Sequence, residues 1–201
     1  MLLSFYRLPL NHILTRSLLS LSSLQHTQVL DLSCNSLGGA EFRSILYGLK
    51  TSNLKSLILD NNKFEGDSLK LLAEKIIDSR SCPLVHLCLR QNMLCGSRDR
   101  GTFNPEPVIK LSLALCDDSN RNLTHLDLSN CDVGARSAKK LFEALKYNDS
   151  ITALDLSYCN ISALGGVAVG EALPLIKNLQ VLHLKENSIG PVGCEVTRAS
   201  A

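Results

Sequence analysis

One leucine-spaced template recurs along the chain and limits its fold more than any other feature. The template reads LxxLxLxx(N/C)x followed by an apolar residue, and its copies begin at residues 3, 27, 54, 84, 123, 151 and 179. Each LxL segment predicts a short strand with its leucines inward, and a helical second half follows the strand. One strand and one helix cannot bury their apolar faces alone. The copies should therefore stack into a solenoid with a continuous core.

The slot after each strand is polar, and it is filled by Asn or by Cys. Asn occupies it in most copies, whereas Cys131 and Cys159 replace Asn in the fifth and sixth. An amide at this position can bond neighbouring backbone groups in the turn, and a thiol can do so more weakly. Matches at so many template positions make the repeat assignment specific.

The template, its period near 28 residues and the helical second half resemble the leucine-rich-repeat family of the ribonuclease-inhibitor type. The resemblance covers roughly residues 3–193 and implies a single α/β domain over residues 1–201. It implies a curved solenoid with parallel strands on the concave face and helices on the convex face. The family includes inhibitors, GTPase activators of the Ran type, innate immune receptors and cytoskeletal scaffolds. The fold therefore does not select one function.

Two units of the chain depart from the repeat. The unit that begins at 84 carries an insertion at 95–107, with the sequence CGSRDRGTFNPEP, and the last unit stops before a helix is expected. Neither end shows an evident polar cap, which solenoids usually need for solubility. We therefore hypothesise that the chain is a fragment, a splice form or an imperfect gene model of a longer solenoid, and we also consider self-association through uncapped ends.

The first residues allow two interpretations. Residues 1–30 contain Arg7, Arg16 and several serines but no acidic side chain until Asp31, a composition typical of an organelle transit peptide. The competing interpretation is a first, degenerate repeat over 3–13. We favour the repeat because five template positions match in register.

Charge and cysteine content exclude several classes of protein. The net charge is +2, with 21 basic and 19 acidic residues, so no strong field favours nucleic acid or an anionic membrane. No apolar run reaches the ~18–20 residues that a membrane-spanning helix needs. Two of the eight cysteines fill the repeat slot. We interpret the cysteines as reduced thiols of a cytoplasmic protein, with a nuclear, ciliary or cytoskeletal location as alternatives.

The outward strand positions are the candidate partner-binding surface. Side chains at equivalent positions of neighbouring strands should form columns, because adjacent strands lie ~4.8 Å apart. Aromatic and Arg side chains commonly dominate interface energies. The predicted contact residues on this face are Ile58, Asp60, Arg90, Asp127, Asp155, Tyr158, His183 and Lys185.

The insertion at 95–107 is a second candidate surface. Its Gly, Pro and paired charges are typical of an exposed loop. Arg98 and Arg100 could contact an anionic group of a partner, and Phe103 could anchor in a partner pocket. The alternative is a tolerated surface insertion, because long loops cost little closure entropy.

Two clusters of outward side chains resemble a catalytic site or a metal site, but we interpret both as features of the repeat. Asp127 and Asp155 resemble paired carboxylates, yet the LDLS phrase recurs with the repeat, and an open strand face lacks an enclosing pocket. His86, Cys88, His125 and Asp127 form a two-by-two array of donors. Residues two apart on a strand are ~6.6–7 Å apart, so the four converge poorly on one ion. We predict no metal and no other cofactor.

Sequence alone therefore predicts a binding protein and not an enzyme. The chain contains no GxxxxGK[ST], HExxH, GxSxG or CxxC motif. The predicted function is a protein-interaction module or scaffold that binds an unidentified protein through the concave face and the 95–107 loop. Two alternatives stay open. One is a GTPase activator of the Ran type that uses Arg98 or Arg100, and the other is a sensor fragment of an innate immune receptor.

Overall fold

The computed structural model describes residues 2–5, 7, 26–39, 41–43, 46, 53–74, 84–96, 101–116 and 122–199, the last without the side chains of 196–199. Within these residues, seven three-residue strands form one parallel sheet in the order of the sequence. The strands are β1 (Leu2–Ser4), β2 (Val29–Asp31), β3 (Ser56–Ile58), β4 (His86–Cys88), β5 (His125–Asp127), β6 (Ala153–Asp155) and β7 (Val181–His183). The predicted α/β solenoid is confirmed.

Residues 39, 41–43 and 46 after β2 are helical, and helices with described ends follow the later strands and pack side by side. They are α1 (Gly66–Leu72), α2 (Glu106–Cys116), α3 (Gly134–Leu145), α4 (Ser162–Ala172) and α5 (Gly190–Ala199), and a 3₁₀ turn at Leu173–Leu175 extends α4. Consecutive helices contact each other along the series from α1 to α5. None of the helices in the described part of the chain is both long and apolar enough to cross a bilayer.

The core lies between the sheet and the helices, as the template predicts. The two leucines of each LxL segment point inward, and Leu57 and Leu59 of the third repeat are completely buried. Phe42 and Phe64 pack against each other in the same interior with ring centroids 4.7 Å apart. The residues between the leucines face outward because side chains alternate along a strand. The core thereby fixes which side chains reach the opposite, concave face.

A ladder of buried amides holds successive turns in register. The Asn62 side-chain nitrogen donates to the carbonyl oxygens of Leu59 and, one repeat earlier, Leu32, each at 3.0 Å. Its oxygen accepts the backbone N–H groups of Asn35 and Leu37. At the Cys positions the thiol takes over part of this role, as Cys159 Sγ donates to the Leu128 oxygen at 3.1 Å. The predicted role of the Asn and Cys slot is confirmed.

The first repeat has a different register from the one predicted. Leu3, and not Tyr6, pairs with Leu30, so the first strand lies three residues earlier than a repeat start at residue 3 requires. Leu3 and Phe5 satisfy the LxL spacing as well as Tyr6 and Leu8 do, which is why the sequence alone chose wrongly. Arg7 consequently lies in the turn, where its N–H donates to the Ser33 oxygen at 3.2 Å.

The last unit also differs from expectation, because it does contain a helix. The segment Gly190–Ala199 forms α5, although the last unit was expected to stop before a helix. Pro191 stands in the first turn, where a helix leaves its N–H groups unbonded and proline costs little. Gly193 lies against Gly166 of α4, since a Cβ added at Gly193 would be 3.3 Å from the Gly166 Cα. Close packing on α4 therefore supports a helix of low intrinsic propensity.

Candidate functional site on the concave face

The strand register assembles the outward side chains into columns. We name the positions between the paired leucines the central column and the positions after the second leucine the outer column. The central column contains Ser4, Asp31, Ile58, Cys88, Asp127, Asp155 and His183. The outer column contains Ser33, Asp60, Arg90, Ser129, Ser157 and Lys185. Seven of the predicted contact residues therefore share two neighbouring columns.

Asp60 is a carboxylate of this face whose pKa is shifted by its surroundings. Burial, followed by the charge of Asp127, raises its pKa to about 6. The Arg90 backbone N–H donates to Asp60 Oδ1 at 3.0 Å and partly opposes that rise. Near neutral pH this carboxylate is therefore close to its titration point, and an approaching cation would favour its ionised form.

The other aspartates of the central column shape their own turns. Asp127 Oδ1 accepts the backbone N–H of Ser129 at 2.8 Å, and Asp155 Oδ1 accepts that of Ser157 at 2.8 Å. Asp31 makes the same bond to Ser33 at 2.9 Å. This recurring contact gives the LDLS phrase a structural reason, because the carboxylate satisfies a turn N–H at each strand end.

Cys88 stays a thiol on this face. Burial raises its pKa to about 12, and the carboxylates of Asp60, Asp127 and Asp31 add to that effect. Because the thiolate is the nucleophilic and metal-binding form, this environment disfavours both uses.

Tyr158 projects from the turn that follows β6. Its φ of 57° places it in the left-handed region, and its N–H donates to the Lys185 oxygen at 2.8 Å. The side chain is 48% exposed, and Lys185 Nζ lies 5.7 Å from the ring centroid. The turn therefore presents an aromatic ring with a cation above it, at the border of the outer column.

A groove begins beside Tyr158, at the edge where the strands end. Its volume is about 620 Å³. Met93 contributes to the same lining and is 41% exposed. The polar lining includes Asp132 and Asn160, whose side chains are joined by a 2.8 Å hydrogen bond. Sequence reasoning missed Met93, although its position between the buried Asn92 and Leu94 indicates an outward side chain.

The structure describes only residues 95–96 and 101–107 of the 95–107 insertion. Its closing turn is held by the Asn104 N–H, which donates to the Cys95 oxygen at 2.7 Å. Phe103 is half-buried and packs against the hydrophobic core, so part of its ring is used inside the fold. Arg98 and Arg100 lie outside the described residues.

A pair of histidines lies on the outward positions just before the central column. His86 and His125 are directly paired on β4 and β5, and their ring centroids are 4.4 Å apart with an interplanar angle of 45°. Thr124 Oγ1 lies 2.7 Å from His125 Nδ1. Burial, followed by the proximity of His125, lowers the pKa of His86. Across the described ranges, no three His, Cys, Asp or Glu side chains converge as metal ligands.

Comparison with known proteins supports the repeat and the fold. Residues 119–142, 147–170 and 176–196 match the profile of the Leucine Rich repeat family. No curated protein matches the chain in sequence. Among solved structures, the tropomodulin C-terminal domain of Caenorhabditis elegans is similar with a TM-score of 0.59 at 17% identity, over 81% of this chain and 91% of that one. At this identity the likeness shows the fold alone.

Proposed function

We propose that this chain, three of whose repeats match the Leucine Rich repeat profile, is an interaction module whose protein partner binds the concave face around Tyr158. The observation that carries this proposal is the exposed Tyr158 ring, which stands where the two columns meet the groove. Tyrosine is enriched among the residues that dominate interface energies, because its rigid ring buries a large area at low entropic cost.

The charges of the two columns indicate which partner chemistry fits. Asp127 and Asp155 present carboxylates in the central column, and Asp60 adds a third from the outer column. Arg90 and Lys185 border them in the outer column. We propose a partner segment with a basic side chain seated over the carboxylates and an apolar side chain beside Tyr158 and Met93.

Binding, and not catalysis, is the activity that this face supports best. It is an open strand surface, and Cys88, its one outward cysteine among the described strands, is held as a thiol. For the GTPase-activator and immune-sensor alternatives, no described residue adds support, since Arg98 and Arg100 lie outside the described part. A cytoplasmic location fits the free thiols of Cys34, Cys88, Cys116, Cys131 and Cys159.

The test is affinity capture from cell extract with three baits: wild type, Tyr158→Ala and Tyr147→Ala. Tyr147 is the matched control, because it is 72% exposed but lies on the turn after α3, away from the concave face. We expect wild type and Tyr147→Ala to hold the same partner and Tyr158→Ala to lose it. Truncating a dominant interface residue costs about 2 kcal/mol or more.

Circular dichroism must first show that all three baits are folded. Equal recovery by Tyr158→Ala and wild type would contradict the proposal and move the binding surface to the 95–107 loop or the convex helices. Loss of the partner by Tyr147→Ala alone would place the interface on the helical side.

A further inference from the structure

The paired imidazoles of β4 and β5 serve no purpose in the proposed interface. We propose that His86 and His125 form a two-imidazole site for a late first-row divalent metal ion, of the Cu²⁺ or Ni²⁺ class. The ion would bridge two adjacent strands and keep its other coordination positions for water. The site lies on the same face as Tyr158, but it does not depend on the interaction function.

The spacing of the rings supports this site. An imidazole nitrogen bound at ~2.0–2.1 Å places its ring centroid about 3.2 Å from the ion. Two centroids 4.4 Å apart then subtend an angle of about 90° at the ion, which is the cis angle of square-planar and octahedral coordination. A tetrahedral zinc site would need a wider separation of the rings. The terminal ring torsion of His is broad, so each ring can turn toward a shared ion at small cost.

The hydroxyl of Thr124 selects the tautomer that a metal needs. Thr124 Oγ1 lies 3.3 Å from the Val85 oxygen and 2.7 Å from His125 Nδ1. Both contacts are hydrogen bonds at once only when the hydroxyl donates to the carbonyl and accepts the Nδ1–H. The lone pair of His125 is then on Nε2. This is the arrangement by which a second polar group fixes a ligating His in metal sites.

The residues beside the two histidines are small and leave the imidazole pair accessible. Ser56 and Ala153 flank the two histidines in the same outward row, so small side chains stand on both sides. The donor set is two imidazole nitrogens, which suits these ions better than Mg²⁺ or Ca²⁺.

The experiment is a calorimetric titration of the full chain with Ni²⁺ in a non-coordinating buffer at pH 7.5. His183→Ala is the matched control, since His183 lies on the same face in the central column without an opposing His. We expect one tight equivalent in wild type and in His183→Ala. In His86→Ala and in His125→Gln it should bind about 100-fold more weakly, because loss of one donor removes the intramolecular advantage of the second.

Two further measurements keep the result unambiguous. Ni²⁺ should raise the unfolding temperature of wild type but not of the two His variants, because the ion binds only the folded strand pair. Thr124→Val should weaken binding roughly 10-fold without abolishing it. The proposal is overturned if wild type and His125→Gln bind Ni²⁺ equally, or if His183→Ala loses the tight equivalent.

Discussion

The pKa of Asp60 on the concave face depends on its burial and on a neighbouring carboxylate. Asp60 titrates at about 6 in the folded chain instead of the ordinary 3.8, chiefly because it is partly buried and secondly because Asp127 lies nearby. The folded chain therefore binds this proton more tightly than the unfolded chain. The contribution of Asp60 to stability falls as the pH rises from about 4 to about 6.

Asp60→Asn should therefore stabilise the protein at pH 7 by about 1 kcal/mol, a value reduced for the partial exposure of the carboxyl group. The amide oxygen can still accept the Arg90 N–H. Urea unfolding at pH 7 and pH 4 measures this, and the gain should vanish at pH 4, where Asp60 is protonated. Exposed Asp149→Asn is the control and should show no comparable gain. A loss of stability in Asp60→Asn at pH 7 would show that the ionised carboxylate is required.

At the scale of elements, the template determines most of the strands but not the ends of the chain. Strands β2 to β7 are each centred on the first leucine of an LxL segment, and a slip of one residue in pairing would turn the leucines to the outer face. In the first repeat, Leu3 and Phe5 compete with Tyr6 and Leu8, and only pairing with β2 decides between them. Local pattern cannot supply that pairing.

The candidate site was predictable to a similar extent. The position of Tyr158 follows from the repeat, whereas its contact with Lys185 and the groove beside it depend on tertiary packing. Helix α5 was not predicted, because the last unit was expected to stop before a helix. Its contact with α4 involves two glycines, a feature that no single-segment pattern reveals.

That glycine contact makes a prediction about α4. A Cβ at Gly166 would lie 2.7 Å from the Ile189 Cβ, closer than side chains tolerate. Gly166→Ala should therefore destabilise the protein by about 1–2 kcal/mol in urea unfolding, since overpacking outweighs the roughly 1 kcal/mol gain in helix propensity. Gly39→Ala is the matched control, because a Cβ there meets no atom within 4 Å. Equal stability of the two variants would show that α4 and α5 do not pack this closely.

For the whole molecule, stability should follow the stacking of nearest neighbours. In a solenoid each repeat contacts only the repeats beside it. The stability lost when a core leucine is truncated should therefore depend on how many neighbouring repeats cover it. Leu154 on β6 lies between two strands and is 1% exposed. Leu182 fills the same template position on β7 but is only partly buried, with a described strand on one side.

Leu154→Ala should cost about 3 kcal/mol and Leu182→Ala about 1 kcal/mol in equilibrium urea unfolding, because only the first leaves an enclosed cavity. Since both leucines occupy the same slot, each variant serves as the other's control for intrinsic propensity. Amide exchange should likewise be slower in β6 than in β7. Equal losses would contradict the single-neighbour environment of β7. If the loss at Leu182 also varied with protein concentration, a second copy would cover that edge, and stacking would continue between chains.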